Sequence, residues 1–368
     1  MDDRSEQMHA FLSQAGWGAA TVAPLPGDAS TRRYARLALN GHKAMLMDQP
    51  QNAETPVAPA SATPEERREL GYNAIARLAG ADCERFAATS EFLRGRGLSA
   101  PEIYACDGKT GFAIIEDLGD DLYADVIEAG GDERALYRAA MEVLAKLHLE
   151  QAPTSLPRDK ALHSYDETAL LAETGLLTEW FFPVALGRDA TPEESAEHHA
   201  LWQKTIEPIQ KAQPVFVHRD YHAHNLLWLP DRDGVARVGL IDFQDGVAGS
   251  TAYDLVSVLE DARRDVPPEL MADATRHYID TLRRYGGSVD EDSLRAAMAV
   301  MAAQRNAKIA GIFARLYKRD GKPRYLSYLP RVWGYLNRDL EHPALAPLAA
   351  WYDKHIPLEA RGEPRVIV

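Results

Sequence analysis

The apolar positions change their spacing part-way along the chain. Near the N-terminus they alternate. Tyr34–Leu39 flips character from residue to residue, Asn40-Gly41 follows, and Ala44–Met47 is a short apolar run. A period of two around an Asn-Gly pair predicts a β-hairpin. Gly111–Ile115 reads as a further, buried strand running into the polar hinge Glu116-Asp117-Leu118-Gly119. Beyond it the period becomes helical. Leu136, Ala140, Met141, Leu144 and Leu147 recur at helical spacing, and residues 168–182 and 193–210 read likewise. Helices return from Tyr253 and fill the C-terminal third.

Two helices fall inside the strand-rich part. Residues 49–63 are rich in Pro and Ala and read as a loop. Thr63-Pro64 with Glu66 is a start signal: Thr63 as N-cap, Pro64 in the first turn, Glu66 closing a capping box. A second helix is predicted over about 84–94, with Phe86, Ser90 and Leu93 on one face. The pattern therefore predicts an α+β protein, with a small strand-rich lobe over residues 1–118 and a larger, mainly helical lobe over 119–368.

Composition narrows the possibilities. The 368 residues suffice for two lobes, and 46% hydrophobic with 26% charged residues is ordinary for a globular protein. A net charge of −14 argues against nucleic-acid binding, which calls for a basic surface. Two cysteines, Cys83 and Cys106, are too few for a disulfide framework or a thiolate metal cage. The first residues are polar and acidic rather than signal-like, and no apolar run looks long enough to span a membrane. A cytoplasmic location is the resulting expectation.

The densest chemistry lies in Val217-His218-Arg219-Asp220-Tyr221-His222-Ala223-His224-Asn225-Leu226, followed by Gly239-Leu240-Ile241-Asp242-Phe243-Gln244-Asp245. Asp220 is suited to accept a proton from a substrate hydroxyl. Asn225 and Asp242 offer the hard oxygen atoms that Mg²⁺ prefers, and Mg²⁺ in turn grips ATP phosphates. Asp245, three residues after Asp242, reads as a group supporting the metal ligands, as a substrate acceptor or as a turn residue, and His222 as a substrate contact. Asp254 reads as a cap on the following helix that braces the catalytic loop. Upstream, Gly27–Tyr34 lies where a phosphate-covering hairpin belongs. Ser30 and Thr31 let backbone N–H groups approach phosphates, and Arg32 and Arg33 add charge.

The HxDxHxxN pattern with an IDF strand end resembles the aminoglycoside phosphotransferase family, whose fold is bilobal and protein-kinase-like. Asp28–Tyr34, Met45–Asp48 with Pro50, Glu116–Gly119 with Tyr123, Glu179-Trp180-Phe181, His218–Tyr221 and Leu240–Asp245 follow in order and resemble an amino-sugar branch of that family. The resemblance spans roughly residues 20–260. It implies transfer of the ATP γ-phosphate to the anomeric hydroxyl of N-acetylmuramate or N-acetylglucosamine. It also implies adenine pairing with the backbone around Glu116 and Leu118, and a sugar wall containing Glu173, Glu179 and Trp180. The lysine usual on the third strand is missing, and Met47 stands in its place. Lys43, Arg32 or Arg33 would serve instead, with Glu91 a candidate partner carboxylate. Rival readings are a kinase of an aminoglycoside, choline or homoserine, and a non-catalytic nucleotide-binding module.

Overall fold

The computed structural model describes residues 3–26, 31–50, 57–59, 61–78 and 82–364. Packing divides the chain into two compact units. One comprises Met1–Val143, Pro153–His163 and Ala223–Gly246; the other comprises Leu144–Ala152, Ser164–His222 and Val247–Val368. The line falls elsewhere than at residue 118. Residues 119–143 and the later hairpin side with the N-terminal sheet.

The first unit is built on an antiparallel sheet of order β1-β2-β3-β5-β4. Its strands are β1 (Thr21–Pro24), β2 (Arg33–Leu39), β3 (His42–Asp48), β4 (Ile103–Asp107) and β5 (Phe112–Ile115). The predicted hairpin joins β2 to β3 in the register Leu39↔His42. Asn40 and Gly41 both take positive φ, 52° and 82°, the requirement of a two-residue turn matched to strand twist. One sheet face carries Ala35, Leu37, Ala44, Leu46, Phe112 and Ile114. It packs on Phe11 and Leu12 of α1 (Asp3–Gln14). The sequence pattern did not reveal α1, because only two of its residues are buried and its amphipathic signal is faint.

Both helices predicted in this unit form. In α2 (Pro64–Leu70) the capping box is complete: Glu66 N–H donates to Thr63 Oγ1 at 3.3 Å, and Thr63 N–H donates to the Glu66 carboxylate at 2.8 Å. Helix α3 (Cys83–Gly95) is capped by Asp82, and Phe86, Ser90 and Leu93 are all buried. A hairpin of Leu226–Trp228 and Val238–Leu240 completes the unit. Leu240 N–H donates to the Ser99 carbonyl at 2.8 Å and Trp228 N–H to the Asp121 carbonyl at 2.7 Å, which fixes the hairpin to this unit.

The second unit is mainly helical. Helix Glu167–Leu176 runs on as wider π-helical turns over Leu177–Leu186, with Pro183 inside. By length and composition this stretch could cross a membrane, contrary to the sequence expectation of no such run. More than half of it is buried within the unit, and Phe181 and Phe182 are wholly enclosed, so it serves as a core helix. The 28-residue helix Glu291–Lys318 crosses it closely. A Cβ on Gly311 would lie 2.4 Å from the Leu176 backbone, so only glycine permits that approach.

Candidate active site

The sheet face opposite α1 lines a pocket of about 380 Å³ in the first unit. Leu25, Met45, Ile115, Leu227 and Ile241 give it an apolar slot. The hinge 116–120 forms one edge, and Arg32, Asn225 and Asp242 form a polar end. The hinge is braced by ion pairs and a backbone hydrogen bond. Glu116 accepts from Arg232 at 2.5 Å and Arg94 at 3.4 Å, and its N–H donates to the Glu102 carbonyl at 2.8 Å. Arg36 pairs with Asp117 at 3.1 Å and with Asp120. Leu118 lines the pocket, as Glu116 does.

At the polar end, Asn225 Nδ2 lies 3.5 Å from Asp242 Oδ2. Asp242 Oδ1 accepts from Arg32 at 2.6 Å and from Gln244 at 3.0 Å. Alternation along the chain decides between the two arginines. Arg32 is 8% exposed and turns inward, whereas Arg33 is exposed, as is Lys43. Burial works against the Arg32 charge, but Tyr34 and Asp242 outweigh it and hold the guanidinium protonated above its ordinary range. Met47 is fully buried. Among the described residues, then, Arg32 is the cation at this end of the pocket. Thr31 is described and half-buried, while Ser30 lies outside the described residues. A divalent ion fits this donor set, since Asp242 and Asn225 present hard oxygen-bearing side chains at one edge of the pocket.

The loop bearing Asp220 belongs to the second unit. Strand Val215–Val217 pairs with Val247–Gly249 and delivers His218 and Arg219. Both N–H groups donate to the buried Asp254 carboxylate, at 2.6 and 3.0 Å. Asp254 stands in the first turn of Ala252–Leu259 without capping it, so it braces the loop, and the expected capping role falls away. Burial pushes its pKa up to about 7 against the pull of the two N–H groups. Arg219 takes a left-handed φ of 76°. Its guanidinium is held by Glu173 at 2.8 Å and lies over the Tyr165 ring at 4.7 Å. Asp220, the next residue, is half-buried.

Three expected site residues look different in this frame. Glu173 is 1% exposed and its carboxylate is enclosed by Arg219, Lys308 at 2.8 Å, Gln304 at 3.1 Å and the Tyr165 hydroxyl. It is a brace for the loop rather than an open sugar wall, because its hydrogen-bonding capacity is taken up internally. Asp245 is engaged by Arg77 at 3.3 Å, tying the 73–77 turn to the loop, which leaves the substrate-acceptor reading without support. Glu91 pairs with Arg158 at 2.7 Å, so it is no partner for a phosphate-binding cation. Glu179 is exposed and Trp180 half-buried, whereas Phe181 and Phe182 are core, so that cluster splits between surface and interior. His222 is 5% exposed, with Arg263 at 3.3 Å from Nε2. Sequence reasoning missed Arg85, Lys308, Gln244 and Gln304. Each acts through a contact with a residue near in space, and only Gln244 sits inside a motif.

Residues 21–288 match the phosphotransferase enzyme family. The chain belongs to that family. It is 43% identical over 365 residues to an N-acetylmuramate/N-acetylglucosamine kinase of Caulobacter vibrioides, covering 98% of both chains. It is 30% identical to a kinase of the same name from Pseudomonas aeruginosa, covering 94% of this chain and 95% of that one. Among solved structures, a microcompartment-associated aminopropanol kinase superposes with a TM-score of 0.59 at 14% identity, covering 94% and 98% of the two chains. An ADP-bound aminoglycoside phosphotransferase gives 0.53 at 16%, covering 91% and 97%. These structures share the fold, so the expected α+β, protein-kinase-like class is borne out, as is the family resemblance.

Proposed function

We propose that this family member is an ATP-dependent kinase of N-acetylmuramate and N-acetylglucosamine that phosphorylates the anomeric hydroxyl. The observation that carries the reading is the 43% identity to a kinase of that name over nearly the whole of both chains. Such a reaction fits peptidoglycan recycling, and the need for ATP argues for a cytoplasmic enzyme.

In this reading adenine enters the apolar slot and pairs with the Glu116 carbonyl and the Leu118 N–H. The phosphates lie at the polar end, where Thr31 and Arg32 meet their charge; Ser30, outside the described residues, joins the proposal from its sequence position alone. Asn225 and Asp242 would hold Mg²⁺, which would neutralise and orient the phosphates. Asp220 orients the sugar hydroxyl and takes its proton as that oxygen bonds to the γ-phosphorus and ADP leaves. The anomeric hydroxyl is more acidic than the other sugar hydroxyls, so a carboxylate is an adequate base there. Glu179, Trp180 and His222 are the candidate sugar contacts. An indole face suits a sugar ring, and Glu179 is open to solvent.

Product analysis tests the reading. Incubation with ATP, Mg²⁺ and either amino sugar is expected to give an acid-labile glycosyl phosphate. The methyl glycoside, blocked at the anomeric oxygen, is expected to stay unmodified. Asp220→Asn, which keeps shape but loses the base, is expected to lower turnover by ~10²–10⁴-fold. A 6-phosphate by NMR, or efficient reaction of the methyl glycoside, overturns the anomeric assignment. Choline or an aminoglycoside outcompeting both sugars overturns the substrate class.

A further inference from the structure

Asp242 adopts a left-handed backbone, φ 63°, which residues other than glycine take at a cost. Such a conformation persists where its surroundings over-determine it. Helix α3 supplies two restraints. The Phe86 ring stacks on Phe243 with centroids 4.8 Å apart. Arg85, 5% exposed, donates to the carbonyls of Gln244 at 3.2 Å and Gly246 at 3.1 Å. Neither restraint touches the Asp242 carboxylate. The Gln244 side chain does.

Gln244 is 2% exposed. Its Nε2 donates to Asp242 Oδ1 at 3.0 Å, while its Oε1 accepts from Arg32 Nη1 at 2.5 Å. The direction of both bonds is forced by chemistry. A guanidinium has no acceptor and an ionised carboxylate has no donor, so a side chain bridging them must offer one of each. Arg32 Nη2 reaches the same Oδ1 at 2.6 Å. Oδ1 therefore receives the clamp, and Oδ2 is the oxygen turned to Asn225.

We propose that Gln244 is a positioning residue for divalent-metal binding. By holding Oδ1 against Arg32, it fixes the carboxylate plane so that Asp242 presents Oδ2, beside Asn225, to the ion. The inference rests on the reading of Asn225 and Asp242 as the metal-holding pair, and it gives Gln244 a task that the sequence motif leaves blank.

Gln244→Met keeps the length of the side chain and removes both hydrogen bonds. With Mn²⁺ as the probe, paramagnetic titration of the full chain with ADP is expected to show about tenfold weaker ion binding, the loss of a hydrogen bond to a charged group. The Mg²⁺ concentration giving half-maximal activity is expected to rise equally, with kcat recovered at saturating Mg²⁺. ADP binding in the presence of chelator is expected to match wild type. A merely structural role would instead lower the melting temperature and kcat, with no recovery by Mg²⁺. Should Gln244→Met melt early, Arg32→Lys probes the same clamp from its other end, since an ammonium cannot fork over Oε1 and Oδ1 together. It too is expected to weaken Mn²⁺ binding. A folded Gln244→Met with wild-type Mn²⁺ affinity overturns the inference. Asp242→Asn in the same titration separates the two levels. If it loses the ion while Gln244→Met keeps it, only the Gln244 role fails; if it also keeps the ion, the metal-holding reading itself fails.

Discussion

Removing the carboxylate of Glu173 is the sharpest test of how the second unit holds the loop that bears Asp220. Glu173 is 1% exposed, and its two cationic partners, Arg219 and Lys308, have side chains 7% and 16% exposed. Burial alone would raise the Glu173 pKa, but Lys308 and Arg219 more than reverse that and hold it below the usual carboxylate range. Truncating one member of a buried pair costs ~3–5 kcal/mol, because the partner's charge is left without compensation. Glu173→Ala strands two cations, yet each keeps something. Lys308 retains the Tyr253 hydroxyl at 3.2 Å, and Arg219 retains the Tyr165 ring. The lower part of that range, about 3 kcal/mol, is the expected loss in urea unfolding. Glu173→Gln keeps the shape without the charge and is expected to lose nearly as much. Steady-state kinetics should follow. Arg219 holds a left-handed backbone just before Asp220, so kcat should fall while the KM of the sugar changes little. Glu173→Met combined with Lys308→Met removes a charge of each sign and should recover part of the stability. The reasoning is refuted if Glu173→Gln unfolds within about 1 kcal/mol of wild type while the sugar KM rises several-fold. That outcome would return Glu173 to the sugar wall.

Two further perturbations probe either unit separately. Arg32→Ala is expected to raise the KM for ATP or to lower kcat, whereas Arg33→Ala and Lys43→Ala, both exposed, should keep wild-type ATP kinetics; equal effects at all three would remove Arg32 from the place of the absent strand lysine. Asp254 has a folded pKa of about 7 against an ordinary 3.8, so its stabilising contribution is full below the unfolded value and is lost as pH rises through the folded one. Relative to Asp254→Asn, which cannot ionise, the wild type should lose about 3 kcal/mol between pH 4 and pH 7 in urea melts, and parallel pH curves for the two proteins would contradict the assignment.

The sequence by itself determined what depends on near neighbours. Thr63, Pro64 and Glu66 specify a helix start through bonds closed within four residues, and Asn40-Gly41 specifies a turn through backbone sterics. Both formed as expected. The candidate motif was compact in sequence for the same reason: Asp220 and Asn225 lie five positions apart, and Asp242 follows the strand that pairs with Leu226–Trp228. Burial and partnership were not legible. Glu173 and Glu179 are equally acidic in sequence, yet one is enclosed by residues from 219, 304 and 308 and the other faces solvent. Arg32 and Arg33 are adjacent and chemically identical, and only the strand's alternation, anchored by its register with β3, decided which turned inward to Asp242. Gln244 and Arg85 gain their roles from partners 212 and 159 positions away. Long-range pairing of this kind is set by how the elements pack, and a buried charge must find its partner there or lose its ionisation. That is why the tertiary structure, and not the motif, decided which carboxylates are enclosed as braces and which stay open.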